Sequence, residues 1–166
     1  MELEFDVQIL KKDIYDYQLH HIYTSPSGLF GTIVGFFMIA AAFQTGTVIL
    51  GIMGVFIIGY FPWILNIKSA AQAASPAFKD PIHYKMDDEG IEISKGEESQ
   101  KIEWNVITKA ISTRKSIVLY TSRVNAFIFP RRVLGEKTGY LIEMISTHVG
   151  PEKVKIRGAI WYMKAL

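Results

Sequence analysis

The residues able to do chemistry are few and scattered. The four histidines are His20, His21, His83 and His148. His20 and His21 are adjacent, so a helix turns them to different faces, and they lack the i, i+4 spacing of a helical metal pair. Beside an apolar run they read as interfacial packing. His83 and His148 are far apart, with no serine or carboxylate placed by sequence next to either. Asp87, Asp88 and Glu89 precede Gly90. The rest of a calcium loop is missing, so these acids read as a solvated turn. The chain has no cysteine, which excludes disulfides and thiolate metal sites. It contains no Gly-x-Ser-x-Gly elbow, no P-loop and no dinucleotide fingerprint. These features predict a protein that is not an enzyme and has no cofactor and no metal site.

The side chains with a definable ligand chemistry are basic. Arg131 and Arg132 follow Pro130 near the start of a predicted helix, while Arg114, Lys115 and Arg123 fall on predicted turns. Guanidinium groups fit phosphate with two parallel hydrogen bonds, and helix N-termini also favour anions. These five are the candidate contacts to an anionic lipid headgroup or a phosphate. The plain alternative is ordinary solvated charge, with one of them paired to a carboxylate. A formal net charge of +2 and a pI near 8.7 are too mild for a nucleic-acid partner. Trp104 closes an alternating segment and is expected in the core.

The elements that must carry these residues divide sharply by charge. From Tyr17 to Ile67 there is no Asp, Glu, Lys or Arg. Within this stretch, Leu29 to Phe43 and Thr47 to Leu65 are apolar, separated by Gln44-Thr45-Gly46. A spanning helix needs about 20 mostly apolar residues, and neither run has the polar stripe of a helix lying in water. The pattern predicts a membrane-proximal helix over 11–26 and a two-helix transmembrane hairpin over 27–67. Lys11, Lys12, Lys68, Lys79 and Lys85 flank the hairpin and its turn has no basic residue. The positive-inside rule then puts both termini on the cytoplasmic side of a cytoplasmic membrane. His20, His21, Tyr23, Tyr60 and Trp63 would anchor at the interfaces. Gly31, Gly35, Gly51 and Gly54 would let the two helices approach closely, or alternatively form the face of a homo-oligomer. The N-terminus is acidic, unlike a secretory signal peptide.

The remainder predicts a small soluble unit over 80–150 with a tail over 151–166. Short alternating segments at 82–86, 91–94, 100–104, 108–113, 116–121 and 125–129, with turns between them, argue for an antiparallel meander. Apolar residues spaced by three and four over 135–148 argue for an amphipathic helix. Residues 1–10 alternate as well, and a lone amphipathic strand can bury its face only by joining that sheet. The total is seven strands and a closing helix.

Several segments carry a family likeness: Gly90-Ile-Glu-Ile93, Ile102-Glu-Trp-Asn-Val-Ile107, Leu119-Tyr120 and Ala126-Phe-Ile-Phe-Pro-Arg-Arg132. With the two upstream apolar runs, they make the chain resemble the bacterial YcxB-like membrane protein family. The resemblance implies a small PH-like β-barrel capped by a helix and implies no activity. The expected fold is thus an α+β membrane protein, its transmembrane hairpin inserted after the first strand of a PH-like antiparallel barrel or sheet. The expected function is a membrane-tethered cytoplasmic module that binds a protein, a peptide or anionic lipid headgroups. The alternative is an immunity protein against a membrane-active toxin.

Overall fold

The computed structural model describes residues 2–122 and 125–156. The chain opens with β1 (Leu3–Val7), in which Leu3, Phe5 and Val7 are buried and Glu4 and Asp6 are exposed. This is the two-residue alternation of a half-buried strand. The chain then leaves through α1 (Lys11–Thr24), α2 (Pro26–Thr45) and α3 (Val48–Ala73). It returns through the short α4 (Pro76–Lys79) to β2 (Ile82–Met86). β2 is the antiparallel neighbour of β1, with Phe5 opposite Tyr84. The helices are therefore inserted between two adjacent strands of one sheet.

α2 has 20 residues and α3 has 26, which at about 1.5 Å per residue makes them about 30 and 39 Å long. Both are long and apolar enough to cross a membrane. Only 11% of the most apolar stretch of each is buried within the chain, so neither is a core helix of the sheet unit. They pack antiparallel on each other where Gly35 meets Gly54. A Cβ at Gly54 would lie 2.6 Å from the Gly35 carbonyl oxygen, and one at Gly35 would lie 2.7 Å from Ile58 Cγ1. α2 runs through Thr45, so the connection narrows to Gly46 and Thr47. Gly46 has φ 69°, a left-handed helix cap that glycine adopts without steric cost.

The strands form two sheets. β2, β3 (Gly90–Lys95) and β4 (Glu98–Glu103) extend the first in the order β1-β2-β3-β4. The second contains β5 (Lys109–Ser112), β6 (Ser116–Tyr120), β7 (Ala126–Pro130) and β8 (Val154–Lys155), in the order β7-β6-β5-β8. The expectation of one continuous meander is corrected here. β4 and β5 do not pair, and no closed barrel forms among the described residues. The break falls at Trp104, which is the first residue of a 3-10 turn over Trp104–Val106 rather than the last of a strand. Its indole is buried, donates to the Asp87 carbonyl at 2.9 Å and stacks on His148 at 5.1 Å. Turning the chain inward to make these contacts ends the first sheet.

β8 lies in the segment expected as a tail and pairs parallel with β5, so the described residues form eight strands where seven were expected. A short α5 (Arg131–Leu134) ends at Gly135, which has φ 51°, and the expected closing helix follows as α6 (Lys137–His148). α6 buries Leu141, Ile142, Met144 and Ile145 in the main core. There the rings of Phe5 and Tyr84 meet Phe129 edge-on at 5.7 and 5.0 Å, joining the two sheets. The other face of the second sheet is covered by α1, where Ile111, Val118 and Tyr120 pack against Tyr17. With both faces covered, all five residues of β6 are buried, which accounts for its apolar run.

Candidate functional site

α1 decides which surface of the sheets lies next to the apolar helices. Its first turn is fixed at the far end. Asp13 is 2% exposed, accepts the Leu10 N–H at 2.9 Å and accepts the Arg132 guanidinium at 2.6 Å. Arg132 also donates to the Gln8 carbonyl at 2.7 Å. One turn on, Asp16 accepts from the Thr113 hydroxyl at 2.5 Å. Midway, Gln18 accepts from the buried Ser69 hydroxyl at 3.0 Å and donates to Gln72 Oε1 at 2.8 Å. Gln18 therefore stands level with the last turns of α3, just past Lys68, the first charge after the apolar stretch. The end of α1 abuts α2 with only Ser25 between them, and a side chain at Gly28 would collide with the Ile22 carbonyl.

Between this end of α1 and the outer face of the second sheet lies an open groove of about 960 Å³. Strand alternation puts Lys109 and Ile111 on one face of β5. Lys109 pairs with Tyr120 on β6, and Ile111 pairs with Lys155 on β8. These residues and His20, His21 and Thr24 from α1 line the groove. Ile111 and Tyr120 are buried and form an apolar floor, while Lys109, Lys155, His21 and Thr24 are exposed around it. Lys109 Nζ stands 5.8 Å from the centre of the Tyr120 ring. Among the described residues lining the groove none is acidic. Burial holds the His20 imidazole below its ordinary pKa, with Asp16 opposing and Lys109 and His21 reinforcing. The lowered pKa favours the neutral imidazole at His20, while Lys109 and Lys155 bring positive charge to the groove. Burial, with Tyr17 beside it, pushes the Tyr120 phenol up, so it stays protonated.

The basic residues singled out from sequence lie elsewhere. The Arg131 N–H donates to the Lys115 carbonyl at 2.9 Å, and Ser116 pairs with Pro130. Arg114, Lys115 and Arg131 thus share one end of the second sheet. That end meets the first half of α1, through Thr113 and Asp16. Eight residues, or about 12 Å of helix, separate Asp16 from Thr24 at the start of the apolar helices. Arg132 is held by Asp13 and is a structural clamp. Arg123 lies outside the described residues. Gly31, Gly35, Gly51 and Gly54 all face the opposite helix of the same hairpin: a Cβ at Gly31 or at Gly51 would touch Phe61 or Ala42 at 3.4 Å.

The acidic turn closes on itself. Asp87 Oδ1 accepts the N–H groups of Glu89 and Gly90, both at 2.8 Å, and Glu89 binds Lys101 at 2.5 Å. The Gly90 N–H is the main cause holding the Asp87 carboxyl below its usual range. Among the described residues no group of three or more His, Asp or Glu is placed to hold a metal. Sequence reasoning missed Lys109, Tyr120 and Lys155. The alternation of β5 hints at Lys109, but Lys155 joins it only through a parallel pairing that no local pattern announces.

The structure defines a class: a small α+β protein in which a pair of long apolar helices interrupts the first of two sheets, with a basic groove between the preceding helix α1 and the second sheet. Within it, residues 87–145 match the family model of the YcxB-like proteins. The match runs from the Asp87 turn into α6 and leaves out both apolar helices. Comparison with curated proteins and with solved structures gave no match.

Proposed function

We propose that this chain is a membrane-tethered binding or regulatory module of the bacterial cytoplasmic membrane. α2 and α3 cross the bilayer as a hairpin, both termini face the cytoplasm, and the two sheets with α6 form a PH-like unit. That unit binds its ligand, whether a protein, a peptide or a lipid headgroup, at the membrane surface without catalysing a reaction.

The observation that carries this reading is the position of α1. It is bonded to the sheets through Asp13–Arg132 and Asp16–Thr113, and to α3 through Gln18–Ser69. A bilayer around the apolar helices would therefore have the sheet unit docked at its surface in one orientation rather than trailing on a linker. The length of α3 supports the same reading. About 30 Å crosses the hydrocarbon core, and the remainder of its roughly 39 Å reaches the level of α1. The flanking lysines, with none in the turn, favour the cytoplasmic side.

The test is a pair of fusions in a bacterial host, with alkaline phosphatase and green fluorescent protein each placed after Leu166 and in the turn at Thr45. Fluorescence from the Leu166 fusion and phosphatase activity at Thr45 are expected. Phosphatase activity at Leu166 overturns the cytoplasmic placement, and cytoplasmic signals at both sites with the protein in the soluble fraction overturn the tether.

A further inference from the structure

Three features of the groove between α1 and the second sheet converge on one ligand. Its cations are uncompensated: among the described residues, Lys109 and Lys155 form no ion pair and no acidic residue lines the groove. Its floor is apolar, from Ile111 and Tyr120. Its depth is fixed, because Gln18 is bonded to Ser69 beside Lys68. His21 and Thr24 stand about 5 and 9 Å further toward α2 along the same helix. If α2 and α3 cross the bilayer as proposed above, this is the depth of the lipid headgroups.

From these features we infer that the groove binds the phosphate of an anionic phospholipid from the adjacent leaflet. Lys109 and Lys155 supply the charge. His21 supplies a hydrogen-bond donor, and the glycerol end of the lipid rests on Ile111 and Tyr120. The lining also sets the selectivity. A zwitterionic headgroup brings an ammonium group that meets two lysines and no carboxylate, so the groove discriminates against it. Soluble phosphate has no apolar portion to cover the floor, which makes a lipid the better occupant.

The full chain, purified in neutral detergent, is titrated with phosphatidylglycerol or phosphatidylcholine, and the retained lipid is counted by native mass spectrometry. The variants are K109Q/K155Q and, with the same charge change at the opposite end of the sheet, R114Q/K115Q. All four side chains are exposed, and thermal unfolding verifies that each variant is folded. A basic residue near an anionic headgroup contributes about a fivefold preference. K109Q/K155Q is therefore expected to lose the preference for phosphatidylglycerol by about 25-fold, with R114Q/K115Q close to wild type. Equal retention of the two lipids by the wild type overturns the inference, as does an equal loss in both variants. Displacement of phosphatidylglycerol by inorganic phosphate at comparable concentration marks a free-anion site and also overturns it. Because retention is read in detergent, failure here leaves the tethered-module reading intact. An inverted topology in the fusion assay leaves the lipid preference intact.

Discussion

Arg132 and Asp13, 119 positions apart in sequence, meet at 2.6 Å, with the carboxylate buried and the guanidinium one-third exposed. This contact joins α5 to the first turn of α1 and fixes the helix that leads into the apolar pair. Removing Arg132 leaves a buried carboxylate with only the Leu10 N–H to compensate it. Breaking a buried pair from one side costs about 3 kcal/mol, so Arg132→Ala is expected to destabilise the protein by about that much. The double variant with Asp13→Asn should recover part of the loss, since the stranded charge is gone. Unfolding of the two singles and the double in detergent measures the coupling, and additive effects would show that the contact is not a functioning ion pair.

The crossing of α2 and α3 gives a sharper contrast between glycines of the same hairpin. At Gly54 a side chain would run into the backbone of Gly35 and into Ile39. Gly59 lies on the same helix with nothing within 4 Å of its would-be Cβ. Gly54→Leu should force the helices apart at a cost of about 2 kcal/mol, typical of overpacking. Gly59→Ala should be neutral, or stabilising by up to about 1 kcal/mol through reduced backbone entropy. Thermal unfolding in detergent compares the two. A tolerated Gly54→Leu would mean that the helices do not cross there.

Trp104 shows why part of this fold was legible in the sequence and part was not. Its burial follows from its size and its place after an alternating strand. The alternation of Leu3, Phe5 and Val7, the two apolar runs and the unbroken β6 are equally local signals, and each corresponds to an element. What no local pattern carried was the choice made by pairing. The indole needs a partner for its N–H, finds the Asp87 carbonyl, and in doing so divides one expected meander into two sheets. Arg132 reads as a surface cation until α1 brings Asp13 to it. Lys155 reads as tail until β8 sets it opposite Ile111. The candidate groove is therefore a product of tertiary contacts, although the kind of residue that forms it was visible.

The same tryptophan is a measurable part of the junction. Trp104→Phe keeps an aromatic ring for His148 to stack on but loses the N–H donated to Asp87, which costs about 1 kcal/mol. Trp104→Ala also opens a cavity, which raises the cost to about 4 kcal/mol. Chemical unfolding of the variants should rank them in that order. Equal losses would show that the ring contributes nothing beyond the hydrogen bond, and a Trp104→Phe variant as stable as wild type would show that the ring alone holds the junction. The neighbouring turn adds a pH dependence of known sign. The Asp87 carboxyl is held below its ordinary 3.8, so its contribution to stability is present above that value. It is lost as pH falls through the lowered one, and Asp87→Asn should flatten that acid limb.

His20 gives the groove a second pH dependence, and its sign can be worked out. Burial lowers its pKa from 6.5, Asp16 one turn earlier pulls it up, and Lys109 on β5 and His21 push it down. Lys155 on β8 and the phenol of Tyr120 on β6 complete the titratable lining. With the folded value depressed, the group favours folding above pH 6.5, and this contribution is lost as pH falls through the lowered pKa. Anion binding runs the other way. A phosphate in the groove replaces part of the hydration that burial removed and favours the imidazolium, so binding takes up a proton. Preference for phosphatidylglycerol over phosphatidylcholine should therefore rise as pH is lowered from neutrality through the His20 transition, while the unliganded protein loses stability. His20→Gln should remove the rise and leave the lysine-dependent preference at neutral pH in place. Lipid retention measured across this range for wild type and His20→Gln decides the point. A rise that survives in His20→Gln assigns the dependence to another group, and His21→Gln then distinguishes the second imidazole from the rest of the lining.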